Sequence, residues 1–495
     1  MKIKCVLKPS QRSVSDALVL PFIKKGNKVV SAFQAKVLSR WIENPIKLND
    51  FEASLGEIFL VYPKSTKEKR IIMLGLGDEI STESLRRAYA QLTGYCHKHK
   101  INKINLWKPI LDQISQEDLI QGISEGIFLT NYVFENLKGK STKKTSLLTA
   151  CSFLGLDESF QKVVNKWMTL SEGVCLARDL VNGNADDVTP KMLEQVAQKL
   201  SKDFSKIKTV ILDKKKLEKE KLKLMLAVNR GAKVDPSLII LNYQGNPAEK
   251  DSTTVIGKGI TYDTGGLQLK PSGGGIINMK CDMSGAAAVL GTLYAAAKLD
   301  LPLNIIGVIP ACENAIGPDA YKPGDVYESY LGKTVEIIST DAEGRLALAD
   351  AIAYAQDHYQ SNHLIDLATL TGGVTVALGD KFTGLMTNNP AMSKKMIVAS
   401  EKSGENVWEL PLYGEYKECL KSSVADIKNS TRAPGYPSAI VAGLFLQEFV
   451  KTTSWAHLDI AGTAYLNDPK YYHKTKATGV GVRLVIAFLE ELLES

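Results

Sequence analysis

Four carboxylates in three short blocks are the residues of this sequence best suited to do chemistry. Asp263 lies in Gly257-Lys258-Gly-Ile-Thr-Tyr-Asp263-Thr-Gly-Gly-Leu-Gln-Leu-Lys270-Pro271. Asp282 lies in Met279-Lys280-Cys281-Asp282-Met-Ser-Gly285, and Asp341 and Glu343 in Ser339-Thr-Asp341-Ala-Glu343-Gly-Arg345-Leu346. Each block has a plain structural reading. Asp263 before Thr-Gly-Gly makes a turn, Asp282 caps the Ala-rich helix that follows, and Thr340-x-x-Glu343 is a capping box. Taken together, they place four carboxylates at strand ends and helix openings around one crevice. Like charges that close are unfavourable unless cations neutralise them. Two divalent ions about 3.5–4 Å apart, bridged by carboxylate oxygens, satisfy that need and can activate a water and polarise a carbonyl. Arg345 adds to the pattern. A cation in the first turn of a helix opposes the macrodipole, so the position serves either a small bound anion or an ion pair with a nearby carboxylate.

The elements that must position these residues follow from periodicity. Ser284–Leu299, Leu346–His358 and Ala439–Lys451 read as helices. They alternate with strand-like runs at Leu238–Tyr243, Thr253–Ile256, Leu303–Ile309, Val335–Ile338, His363–Leu367 and Trp455–Ile460. Such alternation predicts a largely parallel central sheet flanked by helices, with chemistry at the C-terminal strand ends. The first third is α/β as well, with strands at Ala17–Phe22, Ile58–Val61 and Arg70–Leu76 and a helix at Ser81–His97. Lys138–Lys144 is a polar loop. A chain of 495 residues exceeds one ordinary core. The expected division is a smaller N-terminal α/β domain, 1–156, and a larger α/β domain, 157–495, entered through a helix at about 157–182.

Composition narrows the class. No run of about 18 apolar residues exists, so no membrane span is expected. The opening MKIKCVLKPSQRS lacks an apolar core, so no secretory signal is expected. Seven scattered cysteines suggest reduced thiols. Together these predict a cytoplasmic location. A net charge of +7 is mild for this length and does not by itself imply nucleic acid. The densest basic run, Lys214–Leu224, interleaves Glu with Lys and reads as a solvated helix face.

The three blocks resemble the signature motifs of the leucyl (cytosol) aminopeptidase family, whose core Asn-Thr-Asp-Ala-Glu-Gly-Arg-Leu is here Ser339–Leu346. The resemblance extends through Arg178–Asn182, Pro323–Val326, Leu364–Thr371 and Trp455–Gly462. The first domain resembles the family only in length and α/β character. The resemblance implies that 157–495 is the catalytic domain of a two-metal exopeptidase. Such an enzyme removes the N-terminal residue of peptides, leucine or another unsubstituted, largely apolar one, by attack of a metal-activated water. Lys258, Asp263, Asp282 and Glu343 would bind one ion. Asp263, Asp341 and Glu343 would bind the other, the ions being Mn2+ or Zn2+. Lys270 would stabilise the oxyanion, Arg345 would hold a bicarbonate acting as general base, and Met279 and Thr369 would line the pocket for the first side chain. Small peptides as substrates and a homohexamer are further implications. A lysine ligates metal only when neutral, so nearby cations must depress its pKa far below about 10.4.

Two departures are Ser339 for Asn and the stretch Asn182–Pro190, which lacks the usual Asn-Glu-Pro. Neither removes a proposed ligand. Cys96-His97-Lys98-His99 ends a helix where cations suit the dipole, and no second Cys/His group lies at zinc-site spacing. His457 alternates with apolar neighbours and reads as structural. Gly75-Leu-Gly77 lacks the third glycine of a dinucleotide loop. Two rival functions stand beside the peptidase. One is DNA binding in an architectural or regulatory role, which some members of the family perform as a second activity. The other is a dinuclear phosphoesterase, whose sites usually carry several His ligands, absent from all three blocks.

Overall fold

The computed structural model describes residues 1–34, 39–64, 66–139, 141–272, 275–431 and 435–494. Lys140, in the loop expected at 138–144, lies outside them. Contacts divide the chain into two compact units. The first is Met1–Ser171 with Asp468–Thr475, and the second is Glu172–Asn467 with Lys476–Ser495. The chain passes from the first to the second inside the helix Gln161–Asn182.

The first unit is built on a seven-stranded sheet. In spatial order its strands are Lys2–Val6, Ala150–Leu154, Lys103–Trp107, Ala17–Lys25, Ile71–Gly75 and Ile58–Val61, with Lys28–Ser31 hairpinned onto Ala17–Lys25. Pairing is parallel except at that hairpin and at Ile58–Val61. The helices Thr82–Lys98 and Gln116–Thr130 pack together through the buried Leu85, Ala88, Tyr89, Ile120, Ile123 and Ile127. Ser81 caps the first of them reciprocally with Ser84.

The second unit carries a nine-stranded sheet. Its parallel centre runs Ser454–Asp459, His363–Ala368, Ser252–Gly257, Asn304–Asn314. The short strand Gly259–Asp263 continues alongside Asn304–Asn314, also in parallel. Antiparallel strands extend both sides: Ser237–Gln244 and Ile207–Leu212 on one, Thr383–Thr387 on the other, with Val407–Glu409 beyond it. The central strands are buried nearly throughout, as covered parallel strands must be. Helix Ser284–Leu299 is rich in Ala and Gly and buried from Ser284 to Leu293.

One expected strand belongs elsewhere. Thr334–Glu336, anticipated at 335–338, joins Val326–Glu328 and Ile427–Lys428 in a separate three-stranded sheet. Its apolar residues do face a core, since Val335 and Ile337 are fully buried. A short apolar run reports burial, not which sheet buries it.

Candidate active site

The crevice forms where the central parallel strands end. Lys258 occupies the break between Ser252–Gly257 and Gly259–Asp263, and Asp263 is the last residue of the latter. Asp282 closes the short 3-10 helix Ile276–Cys281 just ahead of Ser284–Leu299. Asp341 and Glu343 immediately precede helix Gly344–His358. Thr369 follows the end of strand His363–Ala368.

These residues meet. Lys258 Nζ lies 2.8 Å from Asp282 Oδ2 and 2.9 Å from Glu343 Oε1, and donates to the Thr369 carbonyl at 2.9 Å. Lys270 Nζ lies 2.7 Å from Asp263 Oδ2 and 2.5 Å from Asp341 Oδ1. Thr369 Oγ1 donates to Asp282 Oδ1 at 2.7 Å. One oxygen each of Asp263, Asp341 and Glu343 lies within 4.8 Å of the other two. Lys258, Asp263, Asp282 and Glu343 are buried, while the Asp341 side chain is 38% exposed, so the cluster opens to solvent beside Lys270 and Asp341.

The glycines of the motifs make room for this packing. A Cβ at Gly344 would stand 2.2 Å from Lys258 Cε, so any larger residue would evict the lysine. Gly265 adopts φ +85° and would place a Cβ 2.8 Å from Asp341 Oδ1.

Two of the plain readings fail and one holds in part. Glu343 makes no side-chain cap, and Thr340 Oγ1 instead donates to the Gly265 carbonyl and accepts from Gln268 N. Asp282 does not cap Ser284–Leu299, whose first turn has no side-chain cap. Asp263 Oδ1 does accept from Gly265 N at 2.9 Å, so it makes a turn as well as joining the cluster.

Charge crowding shows in the titration of the groups. Burial pushes Asp263 up to about 6, helped by Glu343 and opposed by Lys270. Asp282 is driven well above the carboxylate range by burial, against the pull of Lys258. Burial also raises Asp341, with Glu343 adding to it. For Glu343, burial is outweighed by the ammoniums of Lys258 and Lys270, which lower it. Burial would neutralise Lys258, but Asp282, Glu343 and Asp263 outweigh it and keep the amine protonated.

Arg345 is 5% exposed and makes no carboxylate ion pair among the described residues, which removes the ion-pair reading. One of its amino groups donates to the Asn429 carbonyl at 2.7 Å, and its Nε is buried without a hydrogen-bond partner. Met279 and Thr369 are both half-buried, Met279 three residues before Asp282.

Profiles of the cytosol aminopeptidase family match both parts of the chain, the catalytic domain at residues 175–486 and the N-terminal domain at 19–141. The chain belongs to the cytosol aminopeptidase family. A probable cytosol aminopeptidase of Protochlamydia amoebophila is 45% identical over 99% of each chain. One from Chlamydia trachomatis serovar L2 is 44% identical over 98% of this chain and 97% of its own. Among solved structures, the bottromycin maturation enzyme BotP superposes with a TM-score of 0.85 at 29% identity, covering 97% of this chain and all of BotP. Its complex with Mn is similar at 30% identity and the same TM-score. The first domain, which by sequence resembled the family only in general character, is thus a family domain too. The family's members are metal-dependent peptidases, so this chain is an aminopeptidase, a hydrolase acting on peptides. The DNA-binding alternative finds no support in these similarities.

The residues present fit metal ions. Four carboxylates face two ammoniums in a largely buried space, a formal excess of acid over base that the raised Asp263, Asp282 and Asp341 reflect. Glu343 Oε2 is buried with no hydrogen-bond partner, an expensive state unless a cation faces it. The donors are hard oxygens and an amine, suited to hard or borderline divalent cations and not to soft thiophilic ions.

Several residues that build the site carry no motif spacing. Asn314 Nδ2 donates to Asp263 Oδ1 at 2.8 Å and to the Thr340 carbonyl at 2.9 Å. Asn429 Oδ1 accepts from Ile338 N and Ser339 N. Tyr321 donates to the Thr340 carbonyl. Ser339, the departure from Asn, accepts from Asp341 N at 3.2 Å, a local hydrogen bond behind the carboxylate. His457 is buried against Asp366 at 2.6 Å, and the lysines of the basic run are exposed. Cys96 is buried, His97 bonds Asn131 and His99 stacks on Tyr95, so they do not converge. All seven cysteines are free, and among the described residues no helix is long and apolar enough to cross a membrane.

Proposed function

We propose that the chain is a two-metal leucyl-type aminopeptidase of the cytoplasm, releasing leucine and similar apolar residues from the N-terminus of short peptides. The observation that carries this is the single cluster formed by Lys258, Asp263, Asp282, Asp341 and Glu343, with its formal excess of acid over base and the orphaned Glu343 oxygen. Lys258, Asp263, Asp282 and Glu343 would hold one ion and Asp263, Asp341 and Glu343 the other. When bound, the ions would activate the attacking water and polarise the scissile carbonyl. Lys258 must then lose its proton, since the carboxylates that now hold it on would be shared with the ions. Lys270, at the open side of the cluster, keeps its ammonium and presents it to the negative charge that develops on the carbonyl oxygen. Arg345 offers its unpartnered Nε to a bicarbonate that would serve as general base. Met279 and Thr369 would bound the pocket of the first side chain, and the free amine of the substrate would select N-terminal residues. The complex of BotP with Mn supports manganese as one ion used in this fold.

Prolonged chelation should abolish hydrolysis of leucine amide, and Mn2+, Zn2+ or Co2+ should restore it. Hydrolysis across a series of aminoacyl amides should favour leucine over charged first residues. Full activity in protein shown by elemental analysis to be metal-free would sink the reading. The family resemblance further supports a homohexamer. Sedimentation should give six subunits at assay concentration, and an active monomer would refute it.

A further inference from the structure

One buried carboxylate next to the cluster touches none of the residues proposed to bind metal, yet its hydrogen bonds lead to two of them. Asp459 is the last residue of strand Ser454–Asp459, in register with Ala368 and fully buried. Its Oδ1 accepts from Leu370 N at 3.1 Å and from Ala461 N at 3.2 Å. Its Oδ2 accepts from Thr371 Oγ1 at 2.7 Å. Thr371 Oγ1 in turn accepts from Val374 N in the first turn of helix Gly372–Leu378. One carboxylate therefore grips two successive residues of the turn that leaves strand His363–Ala368.

The residue ahead of that grip is Thr369. Its carbonyl accepts from Lys258 Nζ and its hydroxyl donates to Asp282 Oδ1. Lys258 and Asp282 are also a direct ion pair at 2.8 Å. Thr369 thus orients a lysine and a carboxylate assigned to the same ion, and is itself proposed to line the first-residue pocket. Burying an ionised carboxylate is costly, and the strand pairing at this point is already made by Ile460 N to the Ala368 carbonyl. Ladder geometry alone therefore does not call for an acid at position 459.

We infer that Asp459 is a positioning residue, which by clamping Leu370 and Thr371 aims Thr369 and so sets the Lys258–Asp282 half of the metal site and one wall of the specificity pocket. The inference rests on the two-metal reading given above. A merely structural Asp459 would affect stability and leave metal affinity and substrate preference alone. A positioning Asp459 affects both, because residues that orient ligands typically contribute about tenfold to a hundredfold in metal affinity.

The test uses the full-length enzyme. Mn2+ affinity is measured by titrating the chelated protein, together with kcat and KM for leucine and alanine amides and the melting temperature. Asp459→Asn keeps an oxygen for Leu370 N but loses the carboxylate. It should weaken binding of at least one Mn2+ about tenfold or more and narrow the preference for leucine over alanine. Thr371→Ala should do the same, and Thr371→Ser, which restores the hydroxyl, should recover wild-type affinity. If Asp459→Asn does not fold, the Thr371 pair decides. A lower melting temperature with unchanged Mn2+ affinity and unchanged preference in these variants overturns the positioning role while leaving the two-metal reading intact. Wild-type protein that neither binds Mn2+ nor depends on it overturns both.

Discussion

Glu343→Gln should empty the site of metal and lower turnover at least about a hundredfold, the upper range for residues that only support a ligand. The substitution preserves shape and removes one charge. In the cluster, Glu343 Oε1 faces Lys258 at 2.9 Å and Oε2 is buried with no hydrogen bond. A buried carboxylate oxygen that no protein group hydrogen-bonds is suited to a partner from outside the protein. Its removal would take away the one cluster carboxylate whose pKa is held down, and a neutral amide is a poor ligand for a divalent ion. A capping role predicts a different outcome, a loss of about 0.5–2 kcal/mol of stability with turnover intact. The absence of any side-chain cap at Glu343 already argues against it. Elemental analysis after dialysis, beside turnover measured with excess Mn2+, separates the two. Normal metal content with normal turnover would remove Glu343 from the site.

How much of this was legible in the sequence depended on how local the determinants were. The helix Ser284–Leu299 lies where its Ala-rich periodicity places it, and Ile58–Val61 is a strand over the expected residues. The parallel centre and the crevice at its strand ends followed from strand–helix alternation alone. The three blocks stood out because their glycines and carboxylates sit within a few residues of one another, while the contact of Gly344 with Lys258 joins two blocks that only the fold brings together. The supporting residues were not legible. Asn314, Asn429 and Asp459 reach the site from 51, 84 and 89 positions away from the residues they bond. A lone Asn at the end of an apolar strand has no local signature of that task. The small sheet holding Thr334–Glu336 was missed because pairing partners are set by tertiary context, which a short apolar run does not encode. Asp263 shows the limit from the other side, since its Oδ1 closes the turn on Gly265 N while its Oδ2 faces Lys270 in the cluster.

Lys270 and Arg345 should separate cleanly when each is replaced, although both are cations that feel the charge of Glu343. Lys270→Ala should lower kcat about a hundredfold to a thousandfold with a smaller change in KM, because an oxyanion donor acts on charge present only in the transition state. Its ammonium is well placed for that task. It sits 2.7 Å from Asp263 and 2.5 Å from Asp341 on the open side of the cluster, and these carboxylates together with Glu343 outweigh its burial and keep it charged. Arg345 is held differently. It is buried, bound to the Asn429 carbonyl, and leaves Nε without a partner. Burial lowers its pKa, yet a guanidinium stays charged at neutral pH. A buried guanidinium with no carboxylate in direct contact and a free Nε suits a small anion. Arg345→Ala should therefore reduce turnover, abolish any stimulation by added bicarbonate and keep its metal content. Wild type depleted of bicarbonate should resemble it. Metal content measured on both variants is the control, because a collapsed site would imitate either loss. An Arg345→Ala enzyme that keeps its metals and still responds to bicarbonate as the wild type does would show that the guanidinium serves the Asn429 loop and not an anion.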